Sequence, residues 1–190
     1  CSNGSTTFSS DGDAGGVWSS ATTGVATINS GSGAITPVSA GTSVTTYTVS
    51  GTGGCSDATA NRTVTVTAAP NAGTLSGTED VCSGSTTTFS SDGDAGGGWS
   101  SATTGVATIN SGNGLITGVS SGTSVMTYTV SGTGGCSDAT ANRTATVTGA
   151  PSTPGSITGS SSVCSGIAGS YSISSVTGAT SYTWAYSGTG

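Results

Sequence analysis

The chain has 190 residues, 34 of them glycine, with 32% hydrophobic and 5% charged side chains and a net charge of −6. Arg62 and Arg143 are its two basic residues, so it lacks the basic footprint that nucleic acid or an anionic membrane surface requires. Histidine and lysine are absent, which removes the usual general base, a Schiff-base nucleophile and any lysine-derived crosslink.

Low complexity suggests disorder, but disorder accompanies high charge and few β-branched residues, whereas here Val, Ile and Thr alternate through long stretches. The chain is also a tandem repeat. Trp18-Ser-Ser-Ala-Thr-Thr-Gly-Val-Ala-Thr-Ile-Asn-Ser-Gly31 recurs letter for letter at 99–112, and the same offset carries Cys1 onto Cys82, Phe8 onto Phe89, Tyr47 onto Tyr128, Cys55 onto Cys136 and Arg62 onto Arg143. Copies 1–70 and 82–151 differ at 11 positions. A period of this length suits small self-contained domains rather than a solenoid. The expected units are 1–69, 70–150 and 151–190.

The second unit is the complete one. Pro70-Asn-Ala-Gly73 is a junction, Thr74-Leu-Ser76 a short first strand and Thr86–Phe89 a second, with Phe89 inward. Ser91-Asp-Gly-Asp-Ala-Gly-Gly97 is a loop. Gly98–Ser101 is a third strand, and its Trp99 is the largest core side chain. Val106–Ile109 and Leu115–Val119 flank the turn Asn110-Ser-Gly-Asn-Gly114. Ser124–Val130 is the longest strand, and Ala139–Thr148 closes the unit. Seven short strands without a helical apolar stripe predict an all-β protein of antiparallel sandwiches with an incomplete third sandwich. Phe8, Trp18, Tyr47, Phe89, Trp99, Tyr128 and Trp184 are the expected core aromatics. The exchanges Thr45 to Met126 and Ala34 to Leu115 suit a half-exposed face, and Pro37 in place of Gly118 suits an edge or bend. In the third unit, strands are expected at Gly155–Gly159, Ser170–Ile173 and Thr180–Trp184.

These residues resemble a family. Trp-Ser-Ser-x-x-x-Gly-Val-Ala-Thr-Ile-Asn, followed by Gly-Leu-Ile-Thr-Gly-Val-Ser-Ser-Gly-Thr-Ser-Val, is similar to bacterial immunoglobulin-like domains of group 2. Val81-Cys-Ser-Gly with Gly135-Cys-Ser resembles the cysteine-bearing version in multidomain surface proteins of Bacteroidetes-type bacteria. The third unit, with Val-Cys-Ser-Gly, Tyr-Ser-Ile and Gly-Ala-Thr-Ser-Tyr-Thr-Trp, resembles a PKD-like sandwich. The resemblance implies extracellular stalks, adhesins or enzyme accessory modules, and carries no catalytic residues.

Five cysteines with no Cys-x-x-Cys and no histidine argue for disulfides and an extracellular or cell-surface setting. Equal spacing predicts Cys1–Cys55 and Cys82–Cys136, leaving Cys164 to a partner outside the chain. Strand topology raises a rival, because a cysteine in the first hairpin turn and one in the last lie at opposite ends of a sandwich, which brings Cys136 nearer Cys1. Asp11-Gly-Asp13 and Asp92-Gly-Asp94 resemble the start of a calcium loop, without the later ligands of a full one, and equally suit turns. Asp57 and Asp138 would join such a site if the loops shared an end. No cofactor is expected other than a possible calcium ion on these loops. Two aspartates on one loop fit glycoside hydrolysis poorly, and serine has no histidine to activate it. Thr63-Val-Thr-Val-Thr67 suits the solvent face of a strand, and Asn3, Asn61 and Asn142 begin glycosylation sequons.

The expected function is a non-catalytic structural segment of a secreted fibre or stalk, with an adhesin or glycan-binding accessory as the alternative. No 18-residue apolar run crosses a membrane, and the chain reads as a window from a longer protein. The expected partners are further repeats of the same chain or copies of itself in a filament. The first unit lacks the strand that Thr74-Leu-Ser76 supplies to the second. Chain upstream of Cys1, or a neighbouring subunit donating Gly155–Gly159, would cover that edge.

Overall fold

The computed structural model describes residues 1–188, so the last two residues of the expected 151–190 unit lie outside the described residues. The first copy contributes β1 (Thr6–Thr7), β2 (Val17–Ser20), β3 (Ala26–Ile28), β4 (Ala34–Pro37), β5 (Gly41–Val49) and β6 (Ala58–Val66). The second contributes β7 (Leu75–Ser76), β8 (Asp80–Cys82), β9 (Thr86–Thr88), β10 (Ser90–Ser91), β11 (Gly98–Ser101), β12 (Ala107–Ile109), β13 (Leu115–Gly118), β14 (Gly122–Val130) and β15 (Ala139–Thr148).

Each copy folds as two facing sheets, in the orders β1-β4-β3 and β2-β5-β6 in the first, and β9-β13-β12 and β11-β14-β15-β8 in the second. The second copy adds the pair β10-β7. Pairing is antiparallel except for β8, which runs parallel to β15. The segment 75–82 therefore begins in a pair with β10, through Ser76 opposite Ser90, and ends on the four-stranded sheet, through Val81 opposite Val147. Period-2 alternation sets the inward faces: Val64 and Val66 are buried while Thr63 and Thr65 face solvent. The turn before β13 closes because the Asn110 side-chain oxygen accepts from the amides of Gly112 and Asn113. Gly114 then takes φ +71°, the left-handed region where a side chain is strained.

Two clusters of buried side chains result. One gathers Leu75, Val81, Phe89, Trp99, Ile116, Met126, Tyr128 and Val147 among others. The other is smaller, with Ala26, Ile35, Val64 and Val66 flanked by half-buried Phe8, Val25 and Ile28. Trp99 packs on its cross-strand neighbour Tyr128 at 4.9 Å between ring centroids, and Trp18 on Tyr47 at the same distance.

Two readings of the sequence differences are corrected. Thr45 and Met126 do not lie on a half-exposed face, since both are fully buried. The difference is absorbed by a second exchange on the adjacent strand, Val64 to Ala145, two residues along from the directly paired position on the same face. A medium–medium pair replaces a large–small pair, and the Thr45 hydroxyl is satisfied by donating to Arg62 O at 2.7 Å. Met126→Thr alone is therefore expected to cost about 2–4 kcal/mol, and Ala145→Val added to it to recover most of that, read from denaturant midpoints. Pro37 sits at the end of the middle strand of its sheet rather than at an edge. In the second copy the Gly118 amide donates to Ser85 O at 3.0 Å, a bond proline cannot make, and β1 is correspondingly a residue shorter than β9.

The segment 151–188 carries an isolated bridge, Thr158 opposite Ser172, in place of the three strands expected there. Among the described residues no sheet covers this segment, and Val176 is its buried apolar residue.

Candidate functional site

Three places gather the residues singled out in the sequence: the cysteine junction between the copies, the aspartate loops, and an aromatic cleft in 151–184.

At the junction, Cys1 is bonded to Cys136, with 4.9 Å between their Cα atoms. The expected pairs Cys1–Cys55 and Cys82–Cys136 are thus overturned. Topology is the reason. Cys82 ends β8 at one end of its sandwich, whereas Cys136 sits in the β14–β15 hairpin loop at the other end, against the first copy. That loop rests on the last residues of the first copy. The Cys136 sulfur lies 3.5 Å from Ala68 O, and a side chain on Gly134 would run into Thr67. Asp138 does not join the aspartate loop, because its carboxylate accepts from the Gly132 amide at 2.8 Å and braces its own hairpin, as Asp57 does with Gly51. Cys55, Cys82 and Cys164 are free and exposed.

Asp92 and Asp94 accept hydrogen bonds from the polypeptide that joins the copies. The Thr74 amide donates to Asp92 Oδ1 at 2.6 Å and the Asn71 amide to Asp94 Oδ2 at 2.9 Å. Ser91 Oγ donates to Ala72 O and accepts from the Gly93 amide. Gly93 lies so close to the 71–73 backbone that a Cβ there would collide with it, so glycine is required for the close approach. The loop is pinned from below by Tyr128, whose hydroxyl accepts from the Gly97 amide and donates to Asp94 O at 2.9 Å. Arg143 completes the clamp on the joining strand: Nη1 donates to Leu75 O and Nη2 to Gly77 O, both at 2.8 Å, and Nη2 lies 3.3 Å from Glu79 Oε1.

Asp11 and Asp13 occupy the same loop in the first copy, and Tyr47 pins it in the same way. No joining strand lies on them among the described residues. Arg62 stacks over the Phe8 ring at 4.5 Å, as Arg143 does over Phe89 at 5.4 Å, but Phe8, Trp18 and Tyr47 are half-buried where Phe89, Trp99 and Tyr128 are buried. Among the described residues, no group of three or more His, Cys, Asp or Glu side chains is arranged to hold a metal ion. Because backbone amides already occupy the Asp92 and Asp94 carboxylates, a chelator is expected to shift the melting temperature by less than about 2 °C, measured in a thermal scan with and without calcium.

A hydroxyl relay between the sheets is not foreseen from the sequence. Ser101 Oγ donates to Ala107 O at 2.6 Å and lies 2.9 Å from Ser124 Oγ, which accepts from the Thr103 amide, and Ser20 and Ser43 repeat this. Its one available signal was a serine at an inward-facing strand position. Asn61 and Asn142 accept from Thr46 and Thr127 across the strands, which places both sequon asparagines on the outer face.

The third place is a cleft of about 820 Å³, lined by Pro151, Ile157, Ile173, Val176, Tyr182 and Trp184 among others. Trp184, expected in a core, is 54% exposed, and Ile157 is 63% exposed. Among the described residues no second sheet packs against them.

Residues 150–190 match the PKD-like domain family. No curated protein sequence matches the chain. Among solved structures it is similar to the C-terminal 282-residue fragment of intimin in complex with the intimin-binding domain of the translocated intimin receptor, at 18% identity and a TM-score of 0.42, covering 70% of this chain and 51% of that one. It is also similar to domains 4–9 of the surface layer protein SbsC, at 18% identity and a TM-score of 0.28, covering 76% of this chain and 23% of that one. The chain thus spans about half of the intimin fragment and a quarter of the SbsC one. The PKD-like segment contains the aromatic cleft and Cys164, both on its exposed surface.

Proposed function

We infer that the chain is a non-catalytic structural segment of an extracellular or cell-surface stalk, built from tandem immunoglobulin-like sandwiches and a PKD-like one, in which further repeats or copies of the chain are the partners. The Cys1–Cys136 bond carries this reading, because it joins two near-identical copies end to end instead of stapling either one internally. A disulfide spanning copies suits an oxidising compartment, and near-identical repeats suit spacing, which gains nothing from distinct sites. Mild proteolysis of the intact cells that make the protein is expected to release fragments containing residues 1–190. The full protein is expected to run far above 18 kDa under reducing, denaturing conditions. Retention inside protease-treated cells would refute the reading.

An adhesive or glycan-binding role is a second reading, favoured by the aromatic cleft of the PKD-like segment, since exposed aromatic faces stack on sugar rings. Glycan-array binding by the chain that Trp184→Ala abolishes would establish it.

A further inference from the structure

Where the polypeptide passes from the first copy to the second, it is held on both sides of a single residue. On the first copy's side, the Ser2 amide donates to Thr67 O at 2.9 Å and the Ala69 amide donates to Ser2 Oγ at 3.3 Å. On the second copy's side, the Asn71 amide donates to Asp94 Oδ2 at 2.9 Å, the Asp94 amide donates to Asn71 O at 2.8 Å, and Ala72 is buried in the core. Between these anchors the soft torsions are those of Ala69 and the ψ of Pro70, whose ring fixes its own φ and disfavours helical backbone at Ala69. Among the described residues the sheets of the two copies do not pair, no backbone hydrogen bond crosses between 1–69 and 70–150, and the buried clusters are separate. The 134–136 loop supplies what else fixes one copy against the other. It lies against Thr67, where a side chain on Gly134 would collide, and Cys136 is bonded to Cys1 with 4.9 Å between their Cα atoms. The contact blocks bending toward the loop, and the bond blocks bending away from it.

We propose that the Cys1–Cys136 disulfide is a redox-set lock on a hinge at Ala69–Pro70, which fixes the angle between the two sandwiches when oxidised and lets them swing, both still folded, when reduced. The reductant is a small dithiol. One of its thiolates attacks a sulfur of the bond and releases the other cysteine as a thiolate. Its second thiolate then displaces the remaining cysteine and closes a disulfide on the reductant, so two electrons pass to the protein and the cysteine thiolates take up the two protons the dithiol gave up. Both cysteines are half-buried at the junction and belong to neither core, so the reductant reaches them without unfolding a copy. The sandwiches stay folded because the bond staples neither of them internally. The lock does not depend on whether the protein spaces or adheres.

The test uses the intact 190-residue chain with Cys164→Ser, carrying thioether-linked spin labels at Cys55 and Cys82, which are exposed, free and on different copies. Their separation is measured by pulsed electron spin resonance before and after dithiothreitol, with the newly exposed thiols titrated. One narrow separation is expected before reduction. Afterwards the distribution is expected to broaden and move off that value, while tryptophan fluorescence and near-ultraviolet dichroism stay unchanged. Cys1→Ser with Cys136→Ser is expected to give the broad distribution without reductant. Pro70→Gly is expected to widen the reduced distribution further and to leave the oxidised one as it was, because glycine frees the torsions that proline restricts. A distribution that stays narrow in the reduced chain and in the double serine variant would overturn the proposal, since packing alone would then set the angle. Loss of the folded signals on reduction would also overturn it, by making the bond a staple of the fold. A bond that the dithiol cannot open in the folded chain would overturn redox control, and a reduced distribution indifferent to Pro70→Gly would overturn the place of the hinge.

Discussion

Phe89→Ala is expected to destabilise the second copy by about 3–5 kcal/mol, and Phe8→Ala the first by less than half as much. The two phenylalanines each follow directly on the equivalent strand, β1 and β9, and pack against the same tryptophan position, so the difference isolates one cause. Phe89 is 1% exposed because Leu75 and the Arg143 clamp close over it, and its removal leaves a cavity that the surrounding strands cannot fill. Phe8 is half-buried beneath the exposed Arg62 guanidinium, so water enters the space its ring leaves. Separate denaturation transitions for the copies, followed through Trp18 and Trp99 in single-tryptophan variants, would measure both values. Equal losses would mean that the joining strand adds nothing to the packing around Phe89.

Cys136→Ser is expected to lower the denaturation free energy by up to about 5 kcal/mol, shared between the transitions of the two copies. The bond closes a loop with a sequence separation of 135, and restricting an unfolded loop of that length is worth this much on chain-entropy grounds. A bond within one copy would have given about 4 kcal/mol to that copy alone. The distribution is thus as diagnostic as the size: both transitions move when the bond spans the copies. Peptide mapping without reductant should recover one crosslinked pair containing Cys1 and Cys136. A Cys1–Cys55 peptide would contradict the structure.

Much of the sandwich was legible in the sequence because it is written locally. The alternation of Thr and Val in 63–67, the Asn-Ser-Gly-Asn-Gly turn and the inward Phe89 and Trp99 each depend on a few neighbouring residues, and the strands follow them. What depends on distant partners was not. Cysteine spacing is the same within each copy, so spacing could not reveal a bond between them, whereas the ends of the strands could. The burial of Thr45 was hidden because its compensating change, at Val64, lies on another strand. The aspartates looked like turn formers or calcium ligands because the amides they accept from belong to residues about twenty positions upstream. Trp184 was read as core from its place in a strand pattern, but a strand buries a face only where a second sheet covers it.

The bond between Cys1 and Cys136 also decides where a pull on the molecule goes. Tension applied at residue 1 and at the far side of Cys136 runs through two sulfur atoms, and residues 2–135 carry none of it. Fully stretched, those residues would lengthen the chain by about 470 Å. While the bond holds, that length stays locked away even if both copies unfold, and a load between those points meets a link a few ångströms long. Reduction would release the slack all at once, turning a stiff tie into a long tether.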